Sequence, residues 1–255
     1  MENKIFKSLL VIFAAILLFS EFAFSEPAEK TLTRVPDYEW IPFKVVKKMK
    51  LPGGYHEGLY YDGKDMWVCN GKKGKTWIVD SSSGKVRSHI NSISTFTEAI
   101  SYGGDGTYYV TDWDSMKLYR AELDGDKFIV LNEMSFEPSH PAGVVLAGER
   151  LYVITWTRGV GTKFHLLELD RDGHLLSIIL IKSIMEPSQL AWDGKNLWIS
   201  SWYSKLVYKI DVDTWKAVGV FSSPVSDTTG IVWDGEYMWI TGTHGDLYQL
   251  KMGGK

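Results

Sequence analysis

Glu98 is the residue best placed in this chain to do chemistry. It sits in Phe96-Thr97-Glu98-Ala99-Ile100 at the start of a short apolar stretch, and a second carboxylate, Glu57, holds the same place in His56-Glu57-Gly58-Leu59. A carboxylate shielded from water beside an indole has its pKa raised toward values useful for acid–base catalysis, and Trp113 ends the strand that follows Glu98. Two neighbouring carboxylates suit a hard cation equally well, with Asn70 and backbone carbonyls completing an oxygen shell. A structural calcium therefore stays open beside a site that needs no cofactor, and a third reading leaves both acids as solvated charges. Trp113, Trp156 and Trp202 end corresponding strands just before a loop. They predict an aromatic collar at one rim, turned either toward a ligand or into packing.

These residues meet only if the elements carrying them share an axis, and an internal repeat supplies one. Pro187-Ser188-Gln189-Leu190-Ala191-Trp192-Asp193-Gly194-Lys195-Asn196-Leu197-Trp198-Ile199-Ser200 reads as strand, tight turn and strand, and degraded copies of it recur. The turn glycines are Gly63, Gly104, Gly148, Gly194 and Gly235, which lie 41, 44, 46 and 41 residues apart. That is the period of a four-stranded propeller blade. The expected fold is all-β: a five-bladed β-propeller with four-stranded antiparallel blades, forming a single domain over 43–255.

The innermost strands begin at Glu57, Glu98, Ala142, Ser188 and Thr229, a column expected at the mouth of the central channel. The residues after four of them, Gly58, Ala99, Gly143 and Gly230, are small, as close approach of backbones at the axis requires. A second column, Trp67, Tyr109, Tyr152, Trp198 and Trp239, alternates with the core and predicts packing between blades. The last repeat stops at Leu247-Tyr248-Gln249-Leu250 with only a few residues beyond, so its fourth strand must come from elsewhere. Phe43-Lys44-Val45-Val46-Lys47-Lys48-Met49-Lys50-Leu51, β-branched residues interleaved with lysines, is the expected donor and would close the ring.

Several classes drop out. With a net charge of −3 and no basic stripe, nucleic acid is excluded as a partner. The single cysteine, Cys69, cannot form an internal disulfide and reads as a buried core residue. His56, His89, His140, His165, His174 and His244 show no paired metal-ligand spacing, so no metal site is assigned to them, although His56 lies next to the expected mouth. No nucleophile elbow, phosphate loop or dinucleotide fingerprint occurs. Residues 1–25 read as a signal peptide: Lys4 and Lys7, an apolar run from Leu9 to Phe19, and small residues at Ala23 and Ser25. The expectation is a periplasmic or secreted monomer without a membrane anchor after cleavage, preceded by a loosely draped leader over 26–42.

Glu57-Gly58-Leu59, Asn70-Gly71, Phe96-Thr97-Glu98-Ala99-Ile100 and Thr229-Gly230-Ile231-Val232-Trp233-Asp234 resemble the plant and bacterial type of glutamine cyclotransferase. The resemblance implies a five-bladed propeller with a central site that cyclises N-terminal glutamine to pyroglutamate and releases ammonia. It implies Glu98 as the proton-transfer residue and matches Trp113 and Trp202 to tryptophans of the family; with Glu57 and Trp156, read from the mouth column and the collar, and Asn70, read beside the carboxylates, these are the substrate-binding candidates around it. The chain departs from the family at Pro187-Ser188-Gln189-Leu190, where an asparagine-glutamate-leucine-glutamate run is expected, and at Ala142-Gly143, where glycine-tryptophan-glycine is expected. The missing acid would weaken recognition of the substrate amine. Two alternatives remain: a non-catalytic propeller that binds a peptide, sugar or envelope partner at the channel mouth, and a calcium-dependent lactonase-like hydrolase built on Glu57 and Glu98.

Overall fold

A computed structural model describes residues 26–159 and 161–253; the predicted signal peptide lies outside the described residues. Twenty-one strands and one 3-10 turn, Gly71–Lys73, make up the regular structure, and no α-helix occurs among the described residues. Strands β1 (Ala28–Trp40) and β2 (Phe43–Lys50) precede five hairpin-rich units. The first unit is β3 (His56–Tyr61), β4 (Asp65–Asn70), β5 (Lys75–Asp80) and β6 (Val86–Asn91). The second is β7 (Thr97–Tyr102), β8 (Thr107–Asp112), β9 (Lys117–Asp124) and β10 (Lys127–Ser135). The third is β11 (Ser139–Ala147), β12 (Arg150–Thr157), β13 (Lys163–Leu169) and β14 (Leu175–Ile181). The fourth is β15 (Pro187–Trp192), β16 (Leu197–Ser201), β17 (Leu206–Asp211) and β18 (Lys216–Ser222). The fifth has three strands of its own, β19 (Thr228–Trp233), β20 (Met238–Gly242) and β21 (Asp246–Met252). Its fourth is β2, which pairs antiparallel with β21 from Phe43↔Met252 to Lys50↔Asp246, as the truncated last repeat predicts.

Hydrogen bonding runs some of these units together. The first and second join through a single parallel pair, Lys127↔Asn91, into eight strands, and the third and fourth join through β1 into nine. This corrects the reading of 26–42 as a loosely draped leader. Strand β1 pairs in parallel with β14 from Ala28↔Ser177 to Leu32↔Ile181, then crosses to β18 at Thr33↔Lys216. One fully buried side chain, Leu32, anchors it among Ile179, Ile181, Ile184 and Ala217.

Packing closes the units into a ring. The first strands touch in sequence, β3 to β7, β7 to β11, β11 to β15, β15 to β19 and β19 back to β3. The aromatic column fills the wedges between them. Trp67 packs with Ile100 and Val110 of the second unit, Tyr109 with Val144 and Val153 of the third, and Tyr152 with Leu190 and Ile199 of the fourth. Trp198 packs with Ile231 and Ile240 of the fifth, and Trp239 with Leu59 and Val68 of the first. Cys69 is buried in the wedge of Trp67, and burial pushes its thiol up, which leaves it inert.

The turn marker has a second half that the repeat alone does not display. Asp193 Oδ1 accepts from the backbone N–H groups of Lys195 (2.9 Å) and Asn196 (2.6 Å), while Oδ2 accepts from the Trp198 indole (2.8 Å). Asp62 with Trp67 and Asp234 with Trp239 repeat the arrangement. The two units without this aspartate carry tyrosine instead, and the Tyr109 hydroxyl donates to the carbonyl of Arg171 (2.6 Å). The carboxylate thus ties the hairpin turn to the inter-unit aromatic. Burial pushes the pKa of Asp193 up, but the hydrogen bonds from Asn196, Trp198 and Lys195 outweigh it and hold the group below the usual carboxylate range. Asp193→Ala is expected to cost about 1–3 kcal/mol. Because the folded pKa is depressed, that stabilisation is present above the unfolded value and fades as pH falls through the folded one. Melting curves of wild type and variant should converge in acid; a constant difference would show that the carboxylate charge has no part in it.

Candidate active site

Close approach at the ring axis brings the two carboxylates together. A Cβ on Gly58 would lie 2.8 Å from both the Ala99 Cα and the Glu98 carbonyl, so only a residue without a side chain lets β3 and β7 come this near. Glu57 and Glu98 then face a shared cavity of about 260 Å³. The first unit lines it with Tyr55, Glu57 and Lys72, the second with Phe96, Glu98, Trp113 and Asp114, the third with Ala142, Trp156 and Arg158, and the fourth with Ser188 and Trp202. Four members of the expected mouth column are present. The fifth, Thr229, is buried and donates to the His56 carbonyl instead (2.8 Å).

The walls are fixed by short polar ties. Asp112, buried at the end of β8, accepts from the N–H groups of Phe96 (2.8 Å) and Ser115 (2.9 Å), which binds the entry of β7 to the loop carrying Trp113 and Asp114. Trp113 stacks on His140 at 4.7 Å between ring centroids and meets the edge of Trp156 at 5.6 Å. Trp156 donates its indole N–H to the Pro187 carbonyl (2.6 Å), and the Trp202 N–H donates to the Glu186 carbonyl (2.9 Å). The Phe96 ring lies against the backbone of Gly71, where a Cβ would come within 2.3 Å of it, and meets Tyr55 edge-on at 6.0 Å.

Glu57 and Glu98 are 4% and 6% exposed. Burial raises the Glu98 pKa to about 8, with the negative charges of Asp112 and Asp114 adding to the effect. Burial also raises Glu57 well above the usual carboxylate range, helped by Glu98 and Asp227 and opposed by Lys72. Both carboxyls are therefore biased toward holding a proton near neutrality. Neighbouring carboxyls of this kind can take different roles, one as base and one as hydrogen-bond donor. Gln189, also buried, donates its amide to the Glu98 carbonyl (3.3 Å) and approaches the Glu98 carboxyl at 3.5 Å.

Two sequence expectations are corrected here. Asn70 is fully buried and does not line the cavity; its Oδ1 accepts from the Tyr55 N–H (3.4 Å), so it positions a wall. His56 is equally buried: Nδ1 accepts from the Gly245 N–H, Nε2–H points at the Pro52 carbonyl (3.0 Å), and burial lowers its pKa, leaving it neutral. The oxygen shell imagined for calcium therefore loses Asn70, and no cluster of three His, Cys, Asp or Glu residues suited to a metal occurs among the described residues. Tyr55, Lys72, Asp114 and Arg158 are cavity residues that the sequence reading passed over. Three of them follow the second strand of their unit, Lys72 directly after Gly71, Asp114 directly after Trp113 and Arg158 two residues after Trp156.

No family model matches the sequence, and no curated protein matches it. Solved structures do. Glutaminyl cyclase of Myxococcus xanthus superposes with a TM-score of 0.67 at 16% identity, covering 88% of this chain and 99% of the other. The PQQ-bound aldose sugar dehydrogenase of Streptomyces coelicolor superposes at 0.59 with 11% identity, covering 86% and 100%. A nidogen/laminin complex matches at 0.55 with 17% identity, covering 73% and 72%. The chain is an all-β protein that shares the propeller fold of glutaminyl cyclase and the sugar dehydrogenase. At these identities the likeness is one of fold.

Proposed function

We propose that the five units are the blades of a five-bladed propeller sealed by β2, and that the chain is an exported glutamine cyclotransferase-like enzyme acting at the cavity of Glu98. The observation that carries this reading is the convergence of Glu57, Glu98, Trp113, Trp156 and Trp202, far apart in sequence, on one cavity. In the reaction the free α-amine of an N-terminal glutamine attacks its own side-chain amide carbon. The new C–N bond forms as Glu98 takes a proton from the amine; the same proton passes to the amide nitrogen, its bond to carbon breaks, and ammonia leaves. No net proton is consumed. A carboxylate with a pKa near that of an α-amine, about 7.7–8.0, suits both transfers. Glu57, whose buried carboxyl is held toward its protonated form, is the donor this reading assigns to the amide oxygen, while the indoles align the chain and exclude water. Asp114, which lines the same cavity, is the acid available in place of the one that the resemblance expects at the position of Ser188.

The test is release of pyroglutamate and ammonia from a glutaminyl peptide by the purified protein. Because the base must be ionised, activity should rise with pH through the raised pKa of Glu98 and not in the ordinary carboxylate range. Asp114→Asn removes one of the charges that raise it, so the rising limb of the pH–rate profile should move to lower pH. A rising limb in the ordinary carboxylate range would remove Glu98, with its raised pKa, as the titrating base. A second reading, a non-catalytic peptide-binding propeller, draws on an apolar shelf beside the mouth. Met185, Trp202 and Tyr203, on adjoining loops, are 62%, 37% and 72% exposed. Binding of peptide without turnover would select it.

A further inference from the structure

The rim of the cavity carries two cations that the cyclisation chemistry does not use. Lys72 and Arg158 are exposed, line the cavity from different units, and take part in no ion pair among the described residues, although Asp114 lines the same space. Each is held over an aromatic face: the Lys72 ammonium 3.9 Å from the Tyr55 ring centroid, the Arg158 guanidinium 4.9 Å from that of Trp113. Such contacts fix a cation without neutralising it. The Lys72 turn is itself held, since the Gly71 N–H donates to the Tyr55 carbonyl (3.2 Å) and Phe96 packs on Gly71. Burial biases the two floor carboxyls toward their neutral forms, and the other charged side chains lining the cavity are Lys72, Arg158 and Asp114, two positive against one negative.

We propose that Lys72 and Arg158 receive a carboxylate borne by the substrate just beyond its glutaminyl residue, so that the preferred substrates are glutaminyl peptides whose second residue supplies one. This rests on the cyclisation reading of the same cavity. At about 260 Å³ the space lies below the roughly 300–1,000 Å³ of sites for drug-sized ligands. It suits a glutaminyl residue, which leaves the next residue at the rim. The carboxylate has two sources with one chemistry: an acidic side chain, or the C-terminus of a dipeptide. Planar guanidinium and point-charge ammonium together suit either.

Four peptides separate the possibilities: Gln-Glu-Ala amide, Gln-Ala-Ala amide, Gln-Lys-Ala amide and the dipeptide Gln-Ala with a free C-terminus. Calorimetric binding to Glu98→Gln reads affinity without turnover, and kcat/KM of the wild type reads the same preference in catalysis. The acidic tripeptide or the free dipeptide should bind about tenfold more tightly than the neutral one and the lysine peptide more weakly still. The difference should lie in KM and shrink as salt is raised. In the Lys72→Met/Arg158→Met variant the ratios should fall toward one. Equal affinities across the four peptides, or a preference that survives in the double variant, would overturn the inference while leaving cyclisation intact. A preserved binding preference with no pyroglutamate from any peptide would instead remove the cyclisation reading and leave the carboxylate rim standing.

Discussion

Replacing Glu98 with glutamine should lower kcat/KM for glutaminyl peptides by about 10²–10⁴-fold, the range for losing a positioned proton-transfer group, while making the protein more stable at alkaline pH. The two effects have one origin. Glu98 is buried, and its folded pKa of about 8 lies well above the ordinary carboxylate value. Between those values the unfolded chain has released the proton that the folded one retains, so wild-type stability declines with rising pH and stops declining once the folded group has ionised. Glutamine is uncharged throughout. The variant should therefore melt several degrees above wild type at pH 8, at roughly 2–4 °C per kcal/mol for a chain of this size, and alongside it near pH 4. Thermal melts at the two pH values check this. Lost activity with unchanged or reduced stability at pH 8 would point to a damaged fold and not to a missing base.

Leu32→Ala should destabilise the whole protein by about 2–5 kcal/mol, the cost of truncating a fully buried leucine. Against a total of about 5–15 kcal/mol this is large, and it corresponds to a fall in Tm of roughly 5–15 °C. Leu32 sits where β1 leaves β14 for β18, with its carbonyl accepting from the Lys182 N–H (3.4 Å) and the Thr33 N–H donating to the Trp215 carbonyl (3.2 Å). Its side chain is the one fully buried group in a strand otherwise exposed or half-buried. If β1 only rested on the surface, the substitution would fall within about 0.5 kcal/mol, as surface changes do. Melting by circular dichroism separates the two outcomes, and removal of residues 26–41 should reproduce the larger effect.

The same strand shows where the linear reading stopped. A strand that buries one side chain in thirteen has no alternation to detect, and parallel pairing to two outer strands leaves no turn signal beside it. Asn70 failed for a related reason: it follows the core alternation of β4, all of whose residues are buried, and its amide is drawn behind the cavity to the Tyr55 backbone. Lys72 and Arg158 lie in loops, where side-chain direction follows no period.

Read alone, the chain determined the repeat, because five turn glycines with φ between 62° and 106° are needed wherever a tight hairpin joins two buried strands, and such a need leaves its mark on residue type. It also determined the inter-unit aromatics, the small residues at the axis and the donor of the missing strand, since each follows from a local rule of strand geometry. Tertiary structure decided which side chains share the cavity, that burial raises two carboxyls, and that two cations stand at its mouth outside any ion pair among the described residues. Those properties depend on desolvation and on distances between groups far apart along the chain, and no local pattern encodes either.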